Sequence, residues 1–228
     1  EGFWEDGRYK EAIEEYEALV TVHPQSEFSP KAIYKIGIIR MLYLSDYDKA
    51  LETFKRLSSL FPESMEARLS RRHAADIYMN NIEDYKRAVF EYQQLIDDGV
   101  IDDPDMAQFN IAVAYLKLGD LAQARIEFRD LIERYPASPL TAQAYYQVAN
   151  SFLLEGEGEE AIKEYEKVIE VYPDSPFYIE SQFGIAMLLE EMGKLKEALS
   201  LYNTIEKEYP NPFALRVRIE GLENRLKQ

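Results

Sequence analysis

Tyr172-Pro173-Asp174-Ser175-Pro176 repeats, with one change, the line Tyr135-Pro136-Ala137-Ser138-Pro139 found 37 residues earlier. The reading of this pair decides the fold, because the first proline of each recurs as Pro24, Pro62, Pro136, Pro173 and Pro210. Twelve residues before each of these stands an alanine, and four residues after each alanine an aromatic: Ala12/Tyr16, Ala50/Phe54, Ala124/Phe128, Ala161/Tyr165 and Ala198/Tyr202. Ala88/Tyr92 completes the series, with Gly99-Val100 where an aromatic-proline pair is expected. Successive alanines are 38, 38, 36, 37 and 37 residues apart. A fixed period of this length marks a stack of like supersecondary units rather than one globular core.

Each unit reads as helix, short turn, helix. Ser29-Pro30, Asp103-Pro104, Ser138-Pro139, Ser175-Pro176 and Asn211-Pro212 predict first-helix starts, with a capping side chain before a proline that loses no hydrogen bond there; Ser64 caps alone. First helices are expected to end at Ser45-Asp46, Asn80-Asn81, Gly119-Asp120, Gly156 to Gly158 and Gly193-Lys194. Second helices stop at His23-Pro24, Phe61-Pro62, Tyr135-Pro136, Tyr172-Pro173 and Tyr209-Pro210, where proline bars extension and the aromatic folds back on the core. Gly37, Ala75, Ala112, Ala149 and Ala186 form a second periodic series of small residues, which lets helix backbones approach closely.

This pattern resembles the tetratricopeptide repeat, usually 34 residues long, over about residues 1–210. Its small, alanine, aromatic and proline positions have counterparts here. The tryptophan often found in its first helix does not: Ile33, Arg71, Gln108, Tyr145 and Gln182 stand there. The resemblance implies an all-α, right-handed α-solenoid of helix hairpins. We expect a half repeat over 1–25, repeats over 26–62, 63–100, 101–136, 137–173 and 174–210, and a C-terminal capping helix over 211–228. The longer unit with its aromatic-Pro-x-Ser-Pro line is similar to repeats of bacterial envelope proteins, such as the lipoprotein of the outer-membrane β-barrel assembly machine and the periplasmic coordinator of the Tol-Pal system. A periplasmic or outer-membrane-associated place follows from that likeness, with the cytoplasm as the alternative.

In the family, the residues three before and one after the small site face the concave groove. Here these are Tyr34, Arg72, Phe109, Tyr146 and Phe183, and Ile38, Asp76, Val113, Asn150 and Met187. One reading is an apolar groove for a peptide or protein segment, with Arg72 and Asn150 as polar anchors. The other is that the rings pack between neighbouring first helices and stay covered. Some members clamp a peptide's terminal carboxylate with lysine and asparagine; Asn150 fits one such place, but aromatics stand for the lysines, so no clamp is expected.

The totals exclude much. Hydrophobic residues make up 46%, with no run long enough for a membrane span. A net charge of −16 argues against nucleic acid and anionic lipid; it reads as a solubility feature, with attraction to a partner's basic segment as the alternative. Without cysteine, disulfides and thiol chemistry are absent, and His23 and His73 alone cannot build a zinc site. His23 takes an aromatic packing place; His73, in Arg71-Arg72-His73, reads as a solvated or salt-bridged face. The acidic run from Asp97 to Asp105 lacks the ligand order of a calcium loop, and its irregularity predicts a bend near residue 100. No nucleophile elbow or phosphate-cradling loop is present, so no enzyme, cofactor or metal is expected. Phe3-Trp4-Glu5-Asp6-Gly7 matches the end of a first helix, so the chain is expected to be part of a longer protein with an open N-terminal edge suited to self-association. The expected function is a scaffold in envelope complex assembly; the alternative is the accessory repeat domain of an enzyme or sensor.

Overall fold

A computed structural model describes residues 7–99 and 101–227. Among them the chain is helical throughout, without a strand: α1 Tyr9–Val22, α2 Ser29–Ile38, α3 Tyr47–Leu60, α4 Met65–Ile77, α5 Tyr85–Asp97, α6 Pro104–Leu118, α7 Leu121–Arg134, α8 Thr141–Glu155, α9 Gly158–Val171, α10 Phe177–Glu191, α11 Leu195–Ile205 and α12 Pro212–Leu226. The chain forms two compact units, Glu1–Leu118 and Gly119–Gln228. The division falls between α6 and α7. On either side of residue 100, Leu95 and Ile96 of α5 pack with Ala107 and Ile111 of α6 and with Ile101. Phe3 to Asp6, assigned from sequence to a first helix, lie outside the described residues.

The two periodic series are the core. All six second-helix alanines are buried, as are Phe54, Tyr92, Phe128, Tyr165 and Tyr202. Gly37, Ala75, Ala112, Ala149 and Ala186 are buried too. The close approach is tightest at Gly37, where an added Cβ would lie 2.2 Å from Phe54 Cε1.

Helix boundaries follow a different logic from the expected one at three of the first helices. Ser138 and Ser175 close turns, their N–H groups donating to the Tyr135 and Tyr172 carbonyls at 2.9 and 3.0 Å, with proline second in the turn. A further turn precedes each helix, so Leu140 and Pro176 hold the N-cap positions, without side-chain caps. The Ser175 hydroxyl is buried and has no partner among the described residues. Ser29 likewise lies inside α2, and its hydroxyl donates to the His23 carbonyl at 2.6 Å. Where the extra turn is missing, capping is as expected: Ser64 accepts from Ala67 N–H and Asn211 from Ala214 N–H, both at 3.1 Å. Second helices have caps of their own in Asp46, Asp84 and Asp120; the sequence reading treated Asp46 and Asp120 only as turn residues and did not single out Asp84.

The 38-residue steps have a structural cause. From small site to second-helix alanine the distance is 13 residues after Gly37 and Ala75, and 12 after Ala112, Ala149 and Ala186. The extra residue is absorbed as a π-helical turn, Ile39–Tyr43 in one repeat and Tyr78–Ile82 in the next. Each of the five first helices then ends on a left-handed residue: Ser45, Glu83, Gly119, Gly156 and Gly193. In the second of these repeats that residue is Glu83, not the expected Asn80-Asn81 pair.

At the C-terminal end Leu215, Ile219 and Leu222 of α12 pack on Tyr202 and Ile205. Arg218 and Arg225 both reach Glu190 at 2.8 Å. The outer side of this capping helix is not wholly polar, as a cap requires: Phe213 is 79% and Val217 55% exposed.

Candidate functional site

The residues singled out from sequence sit on first helices. In the N-terminal unit α2 carries Tyr34 and Ile38, α4 carries Arg72 and Asp76, and α6 carries Phe109 and Val113; in the C-terminal unit α8 carries Tyr146 and Asn150, and α10 carries Phe183 and Met187. Their rings are largely committed to packing. Phe109 is buried. Tyr146 lies 5.7 Å from Tyr165 and 5.1 Å from Phe177, and Phe183 stacks on Tyr209 at 4.7 Å beside Tyr202. All except Phe109 stay half-buried, which leaves part of each surface in contact with solvent.

The two expected polar anchors are also engaged. Arg72 is paired with Asp103, and this bond raises its pKa further against burial. Asn150 accepts the Tyr165 hydroxyl at 2.5 Å and donates to Gln147 at 3.2 Å. Asp76 plays the same part, accepting from the Tyr92 hydroxyl at 2.6 Å. These residues satisfy the core tyrosines, whose hydroxyls would otherwise be stranded. At Met187, whose thioether is only a weak acceptor, the Tyr202 hydroxyl reaches Glu190 instead, at 3.5 Å.

The histidines depart from their expected settings. His23 is exposed rather than packed. His73 is half-buried rather than solvated. Its Nε2 lies 2.9 Å from the Tyr34 hydroxyl, and its ring faces Phe54 at 5.9 Å. Burial lowers its pKa, Asp76 opposes that shift and Arg72 adds to it. Arg71, its neighbour, pairs with Asp98. Two of the connector's five aspartates, Asp98 and Asp103, are thus paired with arginines of α4, and no group of three potential metal ligands occurs among the described residues.

An open first-helix surface lies in the N-terminal unit. Tyr34 and Ile38 line an apolar recess of about 290 Å³, completed by Lys31 and Lys35 of α2 and by Met65, Glu66 and Leu69 of α4. Met65 and Leu69 are exposed. Burial raises the Tyr34 pKa, with a further push from the Glu66 charge, so its hydroxyl stays neutral. Sequence reasoning missed Met65 and Leu69. Their spacing of seven and three residues before Arg72 puts them on the same helix face, which is the signal that could have found them.

Known proteins share this architecture. Family models described as the tetratricopeptide repeat match residues 140–206, and residues 31–64 and 106–138, together more than half of the chain. No curated protein matches the sequence. Among solved structures, a tetratricopeptide repeat protein from Parabacteroides merdae ATCC 43184 aligns at a TM-score of 0.58 and 18% identity, over 98% of this chain and 83% of that one. YrrB, a TPR protein with an unusual peptide-binding site, aligns at 0.59 and 14%, over 90% and 99%. PilW, a widely conserved type IV pilus biogenesis factor, aligns at 0.57 and 16%, over 96% and 94%. At such identities the likeness is one of fold.

Proposed function

The chain belongs to the tetratricopeptide repeat family, and from that premise we propose that it is a non-catalytic scaffold that holds a peptide or protein segment on the first-helix face of its repeats. The observation that carries this reading is the apolar recess between α2 and α4, where Tyr34, Ile38, Met65 and Leu69 offer surface left open among the described residues. A recess of this kind takes one or two apolar side chains of a bound segment. Within the N-terminal unit Arg72, Asp76, Phe109 and Val113 shape the first-helix face, and within the C-terminal unit Tyr146, Asn150, Phe183 and Met187 do so. The peptide-binding site named for YrrB supports a binding role by analogy of fold.

We place this scaffold in the assembly of a bacterial envelope complex, in the periplasm or at the outer membrane. The long repeat with its aromatic-Pro-x-Ser-Pro line supports this, as does the likeness to PilW, named as a pilus biogenesis factor.

Binding of an apolar peptide library to the wild type and to Met65→Glu/Leu69→Glu tests the site. Both side chains are exposed, so the fold survives the change. Binding is expected to weaken by roughly tenfold or more, as a buried apolar contact becomes a desolvated carboxylate; equal affinity would remove the recess as the site. Fractionation of the native cells tests the compartment, with the protein expected in the periplasmic or outer-membrane fraction.

A further inference from the structure

Within each unit, consecutive first helices meet at a fixed point of the repeat. The residue three before one small site faces the residue nine before the next. In the N-terminal unit Arg72 of α4 is paired there with Asp103, at the start of α6. In the C-terminal unit the Tyr146 ring of α8 packs on Phe177 of α10, with centroids 5.1 Å apart and planes tilted by 30°. Each of these crossings is closed from within by a matched pair, one of charges and one of rings.

The crossing of α2 and α4 carries a mismatched pair. Tyr34 and Glu66 stand at the two positions, and both line the apolar recess of about 290 Å³. Burial and then the Glu66 charge raise the Tyr34 pKa, which agrees with the two side chains lying together. A carboxylate does not pack on the negative face of a ring as a second ring does, so this crossing is left unfilled. Its wall is fixed all the same: His73 holds the Tyr34 hydroxyl at 2.9 Å, and Phe54 lies 6.4 Å from the ring on the core side. An apolar cavity of about 150 Å³ is enough for benzene, so the recess has room for an aromatic side chain.

The rim has a charge of its own. Lys31 and Lys35, one turn apart on α2, stand against Glu66 alone on α4, which makes the lining net positive in a chain of net charge −16. Lys35 leans toward the Tyr16 ring at 5.7 Å. Lys31 is exposed and has no ion pair or hydrogen bond among the described residues.

We propose that the Tyr34 recess receives an aromatic side chain of a partner segment, packed on the Tyr34 ring as Phe177 packs on Tyr146, with an acidic residue beside it reaching Lys31. The ring follows from what closes the equivalent crossing, and the acid from charge complementarity at the rim. The proposal rests on the scaffold function above and narrows its ligand from any apolar side chain to an aromatic one with an acidic neighbour.

The probe is a short blocked peptide with one phenylalanine between aspartates. Two relatives carry leucine in place of the phenylalanine, or lysines in place of the aspartates. Each is titrated into the labelled full chain, and amide shifts are followed by NMR. The first peptide is expected to move residues 31–38 and 65–69 and to bind roughly fivefold more tightly than either relative. General attraction to an acidic chain would favour the lysine peptide, so the order of these two separates local from global charge. Glu66→Phe, which closes the crossing as Phe177 does, is expected to lose binding even though it removes a negative charge, with a urea midpoint no lower than that of the wild type. Lys31→Gln, at an exposed position, is expected to keep the preference for phenylalanine and lose the one for aspartate. Equal binding of the leucine peptide, equal or tighter binding of the lysine peptide, or full binding by Glu66→Phe would each overturn the proposal and leave the scaffold function standing. Binding by none of these peptides overturns it too, and if the apolar peptide library also fails to bind, the scaffold function falls with it.

Discussion

In four of the five complete repeats the residue after the small site is matched to the aromatic of the following helix; Met187 before Tyr202 is the exception, the Tyr202 hydroxyl having Glu190 as its acceptor. Phe54 and Phe128 have Ile38 and Val113 at that position in the repeat register, whereas Tyr92 and Tyr165 have Asp76 and Asn150. A buried hydroxyl needs an acceptor and a bare ring needs an apolar neighbour, so the two positions change together. Tyr165→Phe leaves the Asn150 carbonyl oxygen without its donor and should cost about 1–2 kcal/mol. Adding Asn150→Val, which copies the Val113 and Phe128 arrangement, should return most of that loss. Urea unfolding of the two single variants and the double variant measures the coupling; additive losses would refute it.

At the scale of elements, one inserted residue changes the end of a helix and nothing else. From the left-handed residue to the alanine of the next helix there are five residues in every repeat, whether that residue is Ser45 or Gly156. The insertion is confined to the turn before it, where α2 and α4 widen into π-helical turns. Deleting exposed Leu42 should therefore restore the 12-residue spacing and change stability by less than about 1 kcal/mol. Deleting Leu153 from α8, which has no residue to spare, should cost several times more, about 3 kcal/mol or above. Thermal unfolding of both deletions decides between a tolerated insertion and a required one. Ser45 and Glu83 hold left-handed conformations at φ 51° and 59°, a strain that glycine removes at the same position in the other repeats.

For the molecule as a whole, acid acts in two opposite ways near neutrality. His73 has a lowered folded pKa, so its contribution is complete above the unfolded value of 6.5 and is lost as the pH falls from there through the folded value. Glu91 has a raised folded pKa, so its contribution is complete below the unfolded value of 4.5 and is lost as the pH rises through the folded value. Acidification below 6.5 therefore costs stability at His73, and acidification toward 4.5 restores it at Glu91. His73→Gln should lose less stability than the wild type as the pH falls below 6.5, and Glu91→Gln should forgo the gain the wild type makes as the pH falls toward 4.5. Chemical denaturation at pH 7, 6 and 5 checks both signs; parallel profiles for the two variants would show that neither group governs this range.

The repeat, its helices and its core were legible in the chain because each unit imposes the same local sterics on itself. A small residue is needed where backbones approach, an aromatic fills the gap beside it, and a proline ends the helix, as Ala149, Tyr165 and Pro173 show. The candidate surfaces were legible only in part. Tyr34 and Ile38 could be placed on a face from their register, yet Phe109 at the equivalent site is buried, and Arg72 is drawn to an aspartate 31 residues away. Whether a side chain stays open is settled by the reach of residues on neighbouring repeats, and periodicity carries no record of that reach. Tertiary packing decided that Glu164 is buried between Arg129 and Lys167, both at 2.9 Å, while Glu91 has Arg71 at 3.9 Å, because each pairing depends on which side chains of neighbouring helices reach the carboxylate.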